Sequence, residues 1–390
     1  MENKTIRVLG KGITAQAIKK KFDNVILYDE SDFSSYDKKS QDITVVSPGI
    51  PPYNKMLKDC NNIQSDYDLF SSVMPYSIWI SGTNGKTTTT QMLQHLLEDK
   101  GSVYGGNIGV PLCSLDEKKN IWILETSSFT LHYTNKAKPN LYILLPISED
   151  HISWHGSYDE YIKAKLKPLD SMLEGEIAII PEVYKDYPSK ACKITYQNAQ
   201  DLCDEFGIIK NEVDFKEPFL LDALLAMACK IILFDEKDYK KINTFVIDEH
   251  KLEELRDEKN RLWVNDTKGT NIDATMSGLG SYKGKKIYLI LGGDDKGANL
   301  RPLFDFLQDF NIEIFIIGSN FKRLITLCKE YSFMYFYEGN YIKTLEKIDS
   351  KLDLESVGIL SPAASSLDQF TSYAQRGNIF KEFVRNLRLN

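Results

Sequence analysis

The chain has 390 residues, of which 42% are apolar and 26% are charged, and its formal net charge is −7. This length predicts more than one hydrophobic core. The acidic balance argues against a protein that binds nucleic acid or an anionic membrane over its whole surface. No apolar run has the length of a membrane-spanning helix, and the start MENKTIRVLG lacks a secretory segment, so we expect a cytoplasmic protein.

Short β-branched runs alternate with helical stretches along the whole chain, a pattern typical of parallel sheets covered by helices. The predicted strands are TIRVL, NVILY, DITVVS, SIWIS, NIWILE, LYILLP, GEIAII, RLWVND, KKIYLILGG, IEIFIIG and VGILSP. These are too many for one ordinary sheet, so we predict an α/β protein of three domains. Residues 1–75 form a Rossmann-like nucleotide-binding unit, residues 76–246 a central P-loop ATPase-type parallel sheet, and residues 247–390 a Rossmann-like C-terminal unit.

The first unit contains a glycine motif, Gly10-x-Gly12-x-x-Ala15, directly after a predicted strand. Asp29 follows the next strand at a spacing near that of the dinucleotide fingerprint. On its face this motif indicates NAD. A unit of about 75 residues has room for only about half of a full doubly wound domain, which favours a single nucleotide.

The central unit contains SIWISGTNGKTTTTQML, which resembles a phosphate-binding loop but is shortened to Gly82-x-x-Gly85-Lys86-Thr87. The loop joins a predicted buried strand to a predicted helix that Gly101 ends. In such a loop, backbone N–H groups and a helix N-terminus face an anion, Lys86 reaches the phosphates and Thr87 ligates Mg²⁺. The alternative is an ordinary strand-to-helix turn, which the order of Gly, Lys and Thr disfavours.

Two further strands of the central unit end in polar side chains. NIWILE ends at Glu125, and LYILLPISEDH ends in Glu149, Asp150 and His151. Because ligands of open α/β sheets bind beyond the carboxyl ends of the strands, Glu125 and His151 are expected to converge with the loop as Mg²⁺ partners. Taken alone, a strand-end Glu is usually solvated and a lone His is usually structural.

The next predicted helix, SYDEYIKAKLKPL, has an apolar stripe of Ile162, Leu166 and Leu169. Lys165 lies at the border of this stripe. A buried amine loses its charge readily, which would allow it to react with CO₂. A lysine that extends along the helix edge to solvent is the simpler interpretation of the residues alone.

Three groups of candidate residues follow strands of the C-terminal unit: Asp266, Lys268, Thr270 and Asn271; Lys296; and Ser365 with Ser366. Their common position at carboxyl ends predicts one crevice. A dicarboxylate amino acid needs cationic and hydroxyl donors at two points, which these residues offer. Each of them taken alone is more often a surface residue.

Seven stretches, in this order, resemble the Mur ligases of peptidoglycan synthesis: SGTNGKTT, GGNIGVPL, LETSSF, EDH, VNDTKGTN, LGGDDKG and LSPAASSLDQF. Within the family they are most similar to members that add D-glutamate to UDP-N-acetylmuramoyl-L-alanine. The resemblance implies an ATP-dependent ligase of cell-wall precursor synthesis that acts through an acyl phosphate. The implied partners are small molecules, namely UDP-N-acetylmuramoyl-L-alanine, D-glutamate and ATP. From the charge and the short apolar runs we expect no nucleic-acid partner and no membrane insertion, and nothing in the sequence demands more than a monomer.

The resemblance also implies a role for each matching residue. ATP is bound by Gly82, Thr83, Asn84, Gly85, Lys86, Thr87, Thr88 and Asp266. Two Mg²⁺ ions are held by Thr87, Glu125, His151 and Lys165, and Lys165 is carbamylated, which reverses the interpretation from the residues alone. UDP-sugar is bound by Ile13, Thr14, Asp29, Ser47 and Asn107, and D-glutamate by Thr270, Lys296, Ser366 and Tyr373. The implied catalytic residues are Lys86, Asn107, His151, Lys165 and Lys268.

Three positions depart from the family pattern. Ser153 replaces the second carboxylate of D-H-x-D, Lys251 replaces an arginine, and Phe219 lies in the segment 218–222 that replaces H-N-x-x-N, so the adenine contact expected there is in doubt. These departures leave two alternatives open: another amide ligase such as a folylpolyglutamate synthase or a different stem-peptide ligase, and a non-catalytic regulator that binds ATP or UDP-sugar. A P-loop switch GTPase is disfavoured because the guanine motif N-K-x-D is absent.

Overall fold

The computed structural model describes residues 5–387, apart from the side chain of Asp59. Within this range the chain is an α/β protein with three sheets, in which every strand pairing but one is parallel. The chain forms two compact units: the first runs to Phe215 and includes Phe219–Phe245, and the second comprises Lys216–Pro218 and the chain from Val246 onward. The predicted α/β fold class is confirmed, and the domain boundaries near residues 75 and 247 stay predictions.

The first unit begins with a four-stranded parallel sheet. Its strands and helices are β1 (Ile6–Leu9), α1 (Ile13–Lys21), β2 (Val25–Tyr28), β3 (Ile43–Val46), β4 (Ile63–Gln64) and α2 (Asp66–Phe70). The strand order is β2-β1-β3-β4. Helix α2 starts with a capping box, in which Ser65 and Asp68 satisfy each other's backbone N–H groups.

The second sheet of the first unit has six parallel strands in the order β10-β9-β8-β5-β7-β6. These are β5 (Tyr76–Ser81), β6 (Ser102–Gly106), β7 (Ile121–Glu125), β8 (Leu141–Leu144), β9 (Ile177–Pro181) and β10 (Cys192–Tyr196). The helices are α3 (Lys86–Leu97), α4 (Ser128–Tyr133), α5 (Ile152–His155), α6 (Tyr158–Ser171), α7 (Ala199–Phe206), α8 (Phe219–Phe234) and α9 (Tyr239–Asn243). All residues of β7 and β8 are buried, as expected of strands covered on both faces.

The two sheets of the first unit share one hydrophobic core. Val8 and Val45 of the first sheet belong to the same buried cluster as Trp79 and Leu124 of the central sheet. The carboxyl ends of the strands in both sheets are therefore carried by a single packed body.

The second unit holds a six-stranded sheet in the order β11-β12-β16-β13-β14-β15, in which only β11 is antiparallel to its neighbour. The strands are β11 (Glu253–Arg256), β12 (Leu262–Asn265), β13 (Lys286–Leu291), β14 (Ile312–Ile316), β15 (Tyr335–Phe336) and β16 (Ser356–Leu360). The helices are α10 (Ile272–Gly280), α11 (Arg301–Leu307), α12 (Phe321–Glu330), α13 (Tyr341–Asp349) and α14 (Tyr373–Asn386).

The sequence patterns missed five strands, namely β4, β6, β10, β11 and β15, and all five lie at the edge of a sheet. Edge strands pack against one neighbour and keep more solvent contact, so they need no continuous apolar run. The four-residue β11, for example, contains three charged residues. No helix within residues 5–387 combines the length and apolar character that crossing a membrane requires.

Candidate functional site

The glycine loop of the central sheet connects β5 to α3, as its spacing predicts. Gly82 and Gly85 have φ angles of 137° and 84°, which only glycine adopts without strain. A Cβ atom on Gly85 would lie 2.4 Å from Asp222 Oδ1, and one on Gly82 would lie 2.5 Å from the Cβ of Leu145. Close packing therefore requires glycine at both positions and holds the loop at the N-terminus of α3, where anions bind.

The Lys86 side chain folds back over this loop. Its Nζ donates to the carbonyl oxygens of Gly82 at 3.1 Å and Thr83 at 2.7 Å. Asn84 is half-buried within the loop, and Thr88 is buried in the first turn of α3. The ammonium group thus lies against the backbone that would surround a phosphate.

Glu125 connects three parts of the site at the end of β7. Its carboxylate is buried, with 3% of the residue exposed. Oε2 accepts a hydrogen bond from Thr87 Oγ1 at 2.7 Å, and Oε1 accepts one from Asn107 Nδ2 at 2.8 Å. The structure therefore brings Thr87, Asn107 and Glu125 together, and the contact between Asn107 and Glu125 was not anticipated.

Lys165 is buried under the glycine loop, with 1% of the residue exposed. Its Nζ donates to Gly82 O at 2.6 Å and lies 4.7 Å from the ring centroid of Tyr161. Burial, together with the nearby charge of Lys86, holds the pKa of Lys165 well below its usual range. The interpretation of Lys165 as a lysine that extends to solvent is wrong, because its amine points into the protein.

Tyr161 is a site residue that the sequence patterns missed. Its hydroxyl oxygen lies 3.0 Å from Thr83 Oγ1, which also accepts a hydrogen bond from Ser148 N at 2.9 Å. Tyr161 therefore connects the glycine loop to the segment after β8. The available signal was its position four residues before Lys165, which places both on one face of a helix.

His151 lies at the same edge of the central sheet. Its ring centroid is 4.7 Å from that of Phe129 and 6.2 Å from that of Tyr161. The backbone of His151 is left-handed, with φ of 55°, which is uncommon outside glycine and marks a constrained position. The edge thus carries Glu125, His151 and Lys165 near the glycine loop.

The oxygen atoms of this edge suit a hard divalent cation. Among the described residues, no three His, Cys, Asp or Glu side chains form a cluster that would hold a metal ion by themselves. Mg²⁺ usually takes one or two protein ligands and completes its shell with water and substrate phosphates. The hydroxyl of Thr87 and the carboxylate of Glu125, 2.7 Å apart beside the loop, fit that type of ion.

The segment that departs from the family pattern at Phe219 opens helix α8. Asp222, in the first turn of this helix, is buried and accepts a hydrogen bond from Thr89 Oγ1 at 3.0 Å. Its carboxylate supports the glycine loop from behind, since it lies where a side chain on Gly85 would be.

The residues predicted for UDP-sugar lie at the carboxyl edge of the first sheet. Ile13, at the start of α1, is 80% exposed, and Thr14 beside it is half-buried. Asp29 Oδ2 pairs with Lys11 Nζ at 2.9 Å. A hydrogen bond from the Ser31 hydroxyl and this pair with Lys11 lower the pKa of Asp29.

Ser47 lies on the neighbouring loop of the same edge. Its Oγ is buried and, within residues 5–387, has no hydrogen-bond partner. A Cβ atom on Gly10 would lie 2.5 Å from this oxygen. The glycine motif of the first unit and the turn after β3 are therefore in direct contact.

Asp266 is the buried acidic residue of the second unit's candidate site. Its Oδ2 accepts from Ser361 Oγ at 2.6 Å and its Oδ1 from Leu252 N at 3.3 Å. Burial raises the pKa of Asp266 to about 7. The carboxyl group thus lies in an environment that disfavours its charge.

The loops after β12, β13 and β16 are neighbours, as their common edge predicts. Asp294 and Ser365 exchange two backbone hydrogen bonds of 2.9 Å, which brings the loop of Lys296 beside Ser366. Lys296 has a left-handed backbone, with φ of 50°. The side chains of Lys296 and Thr270 are exposed, whereas Ser366 is buried.

Lys268 and Tyr373 form a pair in the same region. Lys268 Nζ lies 4.2 Å from the ring centroid of Tyr373, within the range of a cation–π contact. Arg376, one turn along α14, is fully buried, and its guanidinium donates to Thr267 Oγ1, Thr267 O and Ala364 O. These contacts give Arg376 a structural role, since they connect the loops of Lys268 and Ser366.

The segment around Lys251 is held by ion pairs and hydrogen bonds of the second unit. Lys251 Nζ pairs with Asp248 at 3.1 Å, and the ring Nδ1 of His250 lies 2.8 Å from Asn265 Nδ2. The lysine that replaces the family arginine is therefore engaged by a neighbouring carboxylate.

Known sequences match the chain over nearly its whole length. A UDP-N-acetylmuramoylalanine--D-glutamate ligase of Campylobacter jejuni is 51% identical over 91% of this chain and 88% of the relative. The Mur ligase middle domain matches residues 80–218. The chain belongs to the Mur ligase family. A second D-glutamate ligase, from Helicobacter pylori, is 43% identical over 92% of this chain and 89% of the relative.

The fold of this Mur ligase family member is also found in solved structures. The MurF ligase of Thermotoga maritima in complex with ADP aligns with a TM-score of 0.62 over 99% of this chain and 96% of that chain. Its sequence is only 14% identical, so this likeness concerns the fold alone. The matched middle domain includes the glycine loop from Gly82, Glu125, His151 and Lys165.

Proposed function

We propose that this Mur ligase joins D-glutamate to UDP-N-acetylmuramoyl-L-alanine in peptidoglycan precursor synthesis, at the expense of ATP. The observation that carries the proposal is the buried network in which Glu125 bonds Thr87 and Asn107 while Lys165 bonds the loop at Gly82. The names of relatives at 51% and 43% identity support the substrate pair. Because both substrates besides the amino acid are nucleotides, we assign the reaction to the cytoplasm, with a monomer as the simplest active form.

The glycine loop would bind the phosphates of ATP. Backbone N–H groups of residues 82–88 and the N-terminus of α3 supply hydrogen bonds and positive potential. Lys86, which now bonds two loop carbonyls, would turn to the terminal phosphates when they are present. Support comes from the similar MurF structure, which contains ADP. In the second unit, Asp266 would contact the ribose of ATP.

Mg²⁺ would be held by Thr87, Glu125, His151 and Lys165, and we propose two ions. Bound there, Mg²⁺ would neutralise the negative charge that the phosphate oxygens carry during phosphoryl transfer. The Glu125 carboxylate is oriented for this role by its bonds to Thr87 and Asn107. Asn107 would orient both the carboxylate, to which it donates a hydrogen bond, and the muramoyl substrate.

Lys165 would act as a carbamate. Its amine is buried and lies among Gly82, Tyr161 and the carboxylates of Asp150 and Glu125. A neutral amine in such a place is able to add to CO₂ and release one proton, which gives a carbamate anion with oxygen atoms to offer a cation. Tyr161 would hold the lysine stem in line with the loop through its contacts to Thr83 and Lys165.

The remaining residues would bind the other two substrates. Ile13, Thr14, Asp29 and Ser47 would bind the UDP portion at the edge of the first sheet. Thr270, Lys296, Ser366 and Tyr373 would bind D-glutamate, since a cation and hydroxyl groups match a dicarboxylate. Lys268, beside Tyr373, would contribute positive charge near the reacting groups.

The reaction has two steps. The carboxylate oxygen of the L-alanyl group takes the γ-phosphoryl group from ATP, which gives an acyl phosphate and ADP. The neutral amine of D-glutamate then attacks the acyl carbon and the C–N bond forms. Phosphate leaves with the C–O bond electrons, and the nitrogen loses one proton and keeps the other as the amide N–H. Most of the rate enhancement is expected from positioning and charge neutralisation.

The decisive experiment is phosphate release from ATP and Mg²⁺ in the presence of UDP-N-acetylmuramoyl-L-alanine. D-glutamate is compared with L-glutamate, D-alanine, L-alanine and no amino acid. Release that depends on both the nucleotide sugar and D-glutamate supports the proposal. Release with a different amino acid indicates another ligase specificity. ATP binding without any turnover favours a non-catalytic regulator. In that case the departures at Ser153, Lys251 and Phe219 are better evidence of function than the residues that match the family.

A further inference from the structure

Tyr53 is an exposed aromatic residue between the two sheets of the first unit. It lies six residues after Ser47 in the loop that follows β3, and it is 67% exposed. Its hydroxyl donates to the carbonyl oxygen of Ser153 at 3.1 Å, two residues after His151. Within residues 5–387, no other aromatic ring packs on the Tyr53 ring.

The residue after Tyr53 connects the same loop to the segment that follows β2. Asn54 Nδ2 donates to Glu30 Oε1 at 3.2 Å, and Glu30 directly follows Asp29. The loop is therefore bonded on one side to the UDP-sugar edge of the first sheet and on the other to α5 of the central sheet. Both contacts lie within the shared packed body of the first unit.

A substrate of the proposed type must extend across this region. Its nucleotide would lie near Asp29 and Ser47, while its carboxylate must reach the edge that carries Glu125 and Lys165. In such a substrate the sugar lies between the diphosphate and the peptide. Tyr53, whose hydrogen bond joins the two sheet edges, likewise lies between the sites proposed for those two groups.

We propose that the exposed ring of Tyr53 packs against the apolar face of the N-acetylated hexose in the nucleotide-sugar substrate. This inference rests on the proposed function and adds a substrate-contacting residue to it. An aromatic ring offers a large apolar surface with few rotatable bonds, and its polar tip is already anchored at Ser153. Less side-chain freedom is then lost when the sugar binds.

A single exposed aromatic residue is common on protein surfaces and needs no explanation by itself. Tyr53 differs because a hydrogen bond to Ser153, 100 positions further along the chain, fixes its side chain. This bond joins the two sheet edges between which one substrate must extend. The anchor uses the backbone of Ser153, at the position where the second family carboxylate is missing.

The test measures dissociation constants of UDP and of UDP-N-acetylmuramoyl-L-alanine by calorimetry, with the wild type, Tyr53→Ala and Tyr53→Phe. Tyr53→Ala should weaken binding of the full substrate about tenfold, the usual effect of removing an aromatic contact, and leave UDP unchanged. Tyr53→Phe keeps the ring and loses one exposed hydrogen bond, so binding should weaken by only about threefold. In turnover, KM for the nucleotide sugar should rise with kcat unchanged.

Tyr76→Ala provides a matched control, because Tyr76 is an exposed tyrosine of the same unit at the start of β5, at the opposite edge of the sheet. It should bind both ligands as the wild type does. Unchanged binding of the full substrate by Tyr53→Ala would overturn the inference, as would equal weakening of UDP and full substrate, which indicates a disordered loop. If the wild type binds UDP but not the full substrate, the proposed function fails together with the inference.

Discussion

In the first unit, Glu125, Tyr161 and Lys165 are buried, and each bonds another group of the candidate site. In the second unit, Lys268, Thr270 and Lys296 are exposed, and the buried members are Asp266 and Ser366. A buried polar group costs free energy unless it is bonded, so folding itself orients the first set. Exposed lysines remain hydrated, and their side chains adopt a single conformation only when a ligand binds. Substitutions in the first set should therefore affect turnover most, and those of Thr270 and Lys296 in the second set should mainly affect binding.

The largest effect is expected for Lys165→Ala. Turnover should fall about a thousandfold, because a preorganised group beside the transferred phosphoryl group is lost. Phosphate release measures the loss, and a short carboxylate such as formate in the buffer should restore part of it. Lys163→Ala is the control, since Lys163 is exposed on the same helix and, within residues 5–387, its one ion pair is with the surface carboxylate of Glu160 at 3.6 Å. Full activity of Lys165→Ala would remove the distinction between the two regions.

Glu125→Gln should lower turnover about a hundredfold and raise the Mg²⁺ concentration needed for half-maximal rate. The amide keeps the size of the side chain but has no negative charge to offer a cation. A Mg²⁺ titration of phosphate release compares the variant with the wild type, and removal of the metal with EDTA should abolish both activities. An unchanged Mg²⁺ requirement would show that Glu125 orients Asn107 and Thr87 without contacting metal.

Asp266 should make the stability of the second unit depend on pH. Burial raises its pKa from 3.8 to about 7, so the folded state holds the proton more tightly than the unfolded chain. The free energy of unfolding should then fall as pH rises from 3.8 to about 7.

Asp266→Asn replaces the acid with a neutral group of equal size and should remove this fall, which the pKa rise puts at about 4 kcal/mol. Hydrogen exchange of segments in β12 and β16, measured at both ends of the pH range, reports the stability of this unit by itself. The same pH dependence in the variant and the wild type would contradict the assignment to Asp266.

The smallest effect is expected for Lys296→Ala. KM for D-glutamate should rise about tenfold while kcat changes little, since an exposed cation contributes mainly to ground-state binding. Lys343→Ala, an exposed lysine on α13, should behave as the wild type. A fall in kcat at unchanged KM would place Lys296 with the residues that act in the transition state. That result would contradict the distinction between the two units.

Local patterns predicted the interior of the sheets better than their borders. Strands such as β5, β7 and β13 are almost entirely buried and rich in apolar residues, as expected of strands that helices cover on both faces. The five missed strands are all edge strands. Their pairing depends on the strand beside them more than on their own composition. The charged segment before β12 contains no apolar run, yet part of it pairs antiparallel with β12 as β11.

The candidate site divides in the same way. The glycine loop, Lys86 and Thr87 were predictable, since one strand, one turn and one helix define their geometry. The contacts of Asn107 with Glu125 and of Lys165 with Gly82 join residues 18 and 83 positions apart. Periodicity placed Lys165 only at the border of a buried stripe, and it could not tell an amine in solvent from one under the loop.

By itself, the sequence determined the α/β class, the glycine loop and the strand ends on which the polar residues lie, because neighbours within a few residues set backbone conformation and burial period. Tertiary structure alone decided which strand ends meet, that Tyr161 and Asp222 support the loop, and that the Lys165 amine is desolvated. The physical reason is that burial, and with it the pKa and the hydrogen-bonding needs of a side chain, depends on what distant segments pack against it.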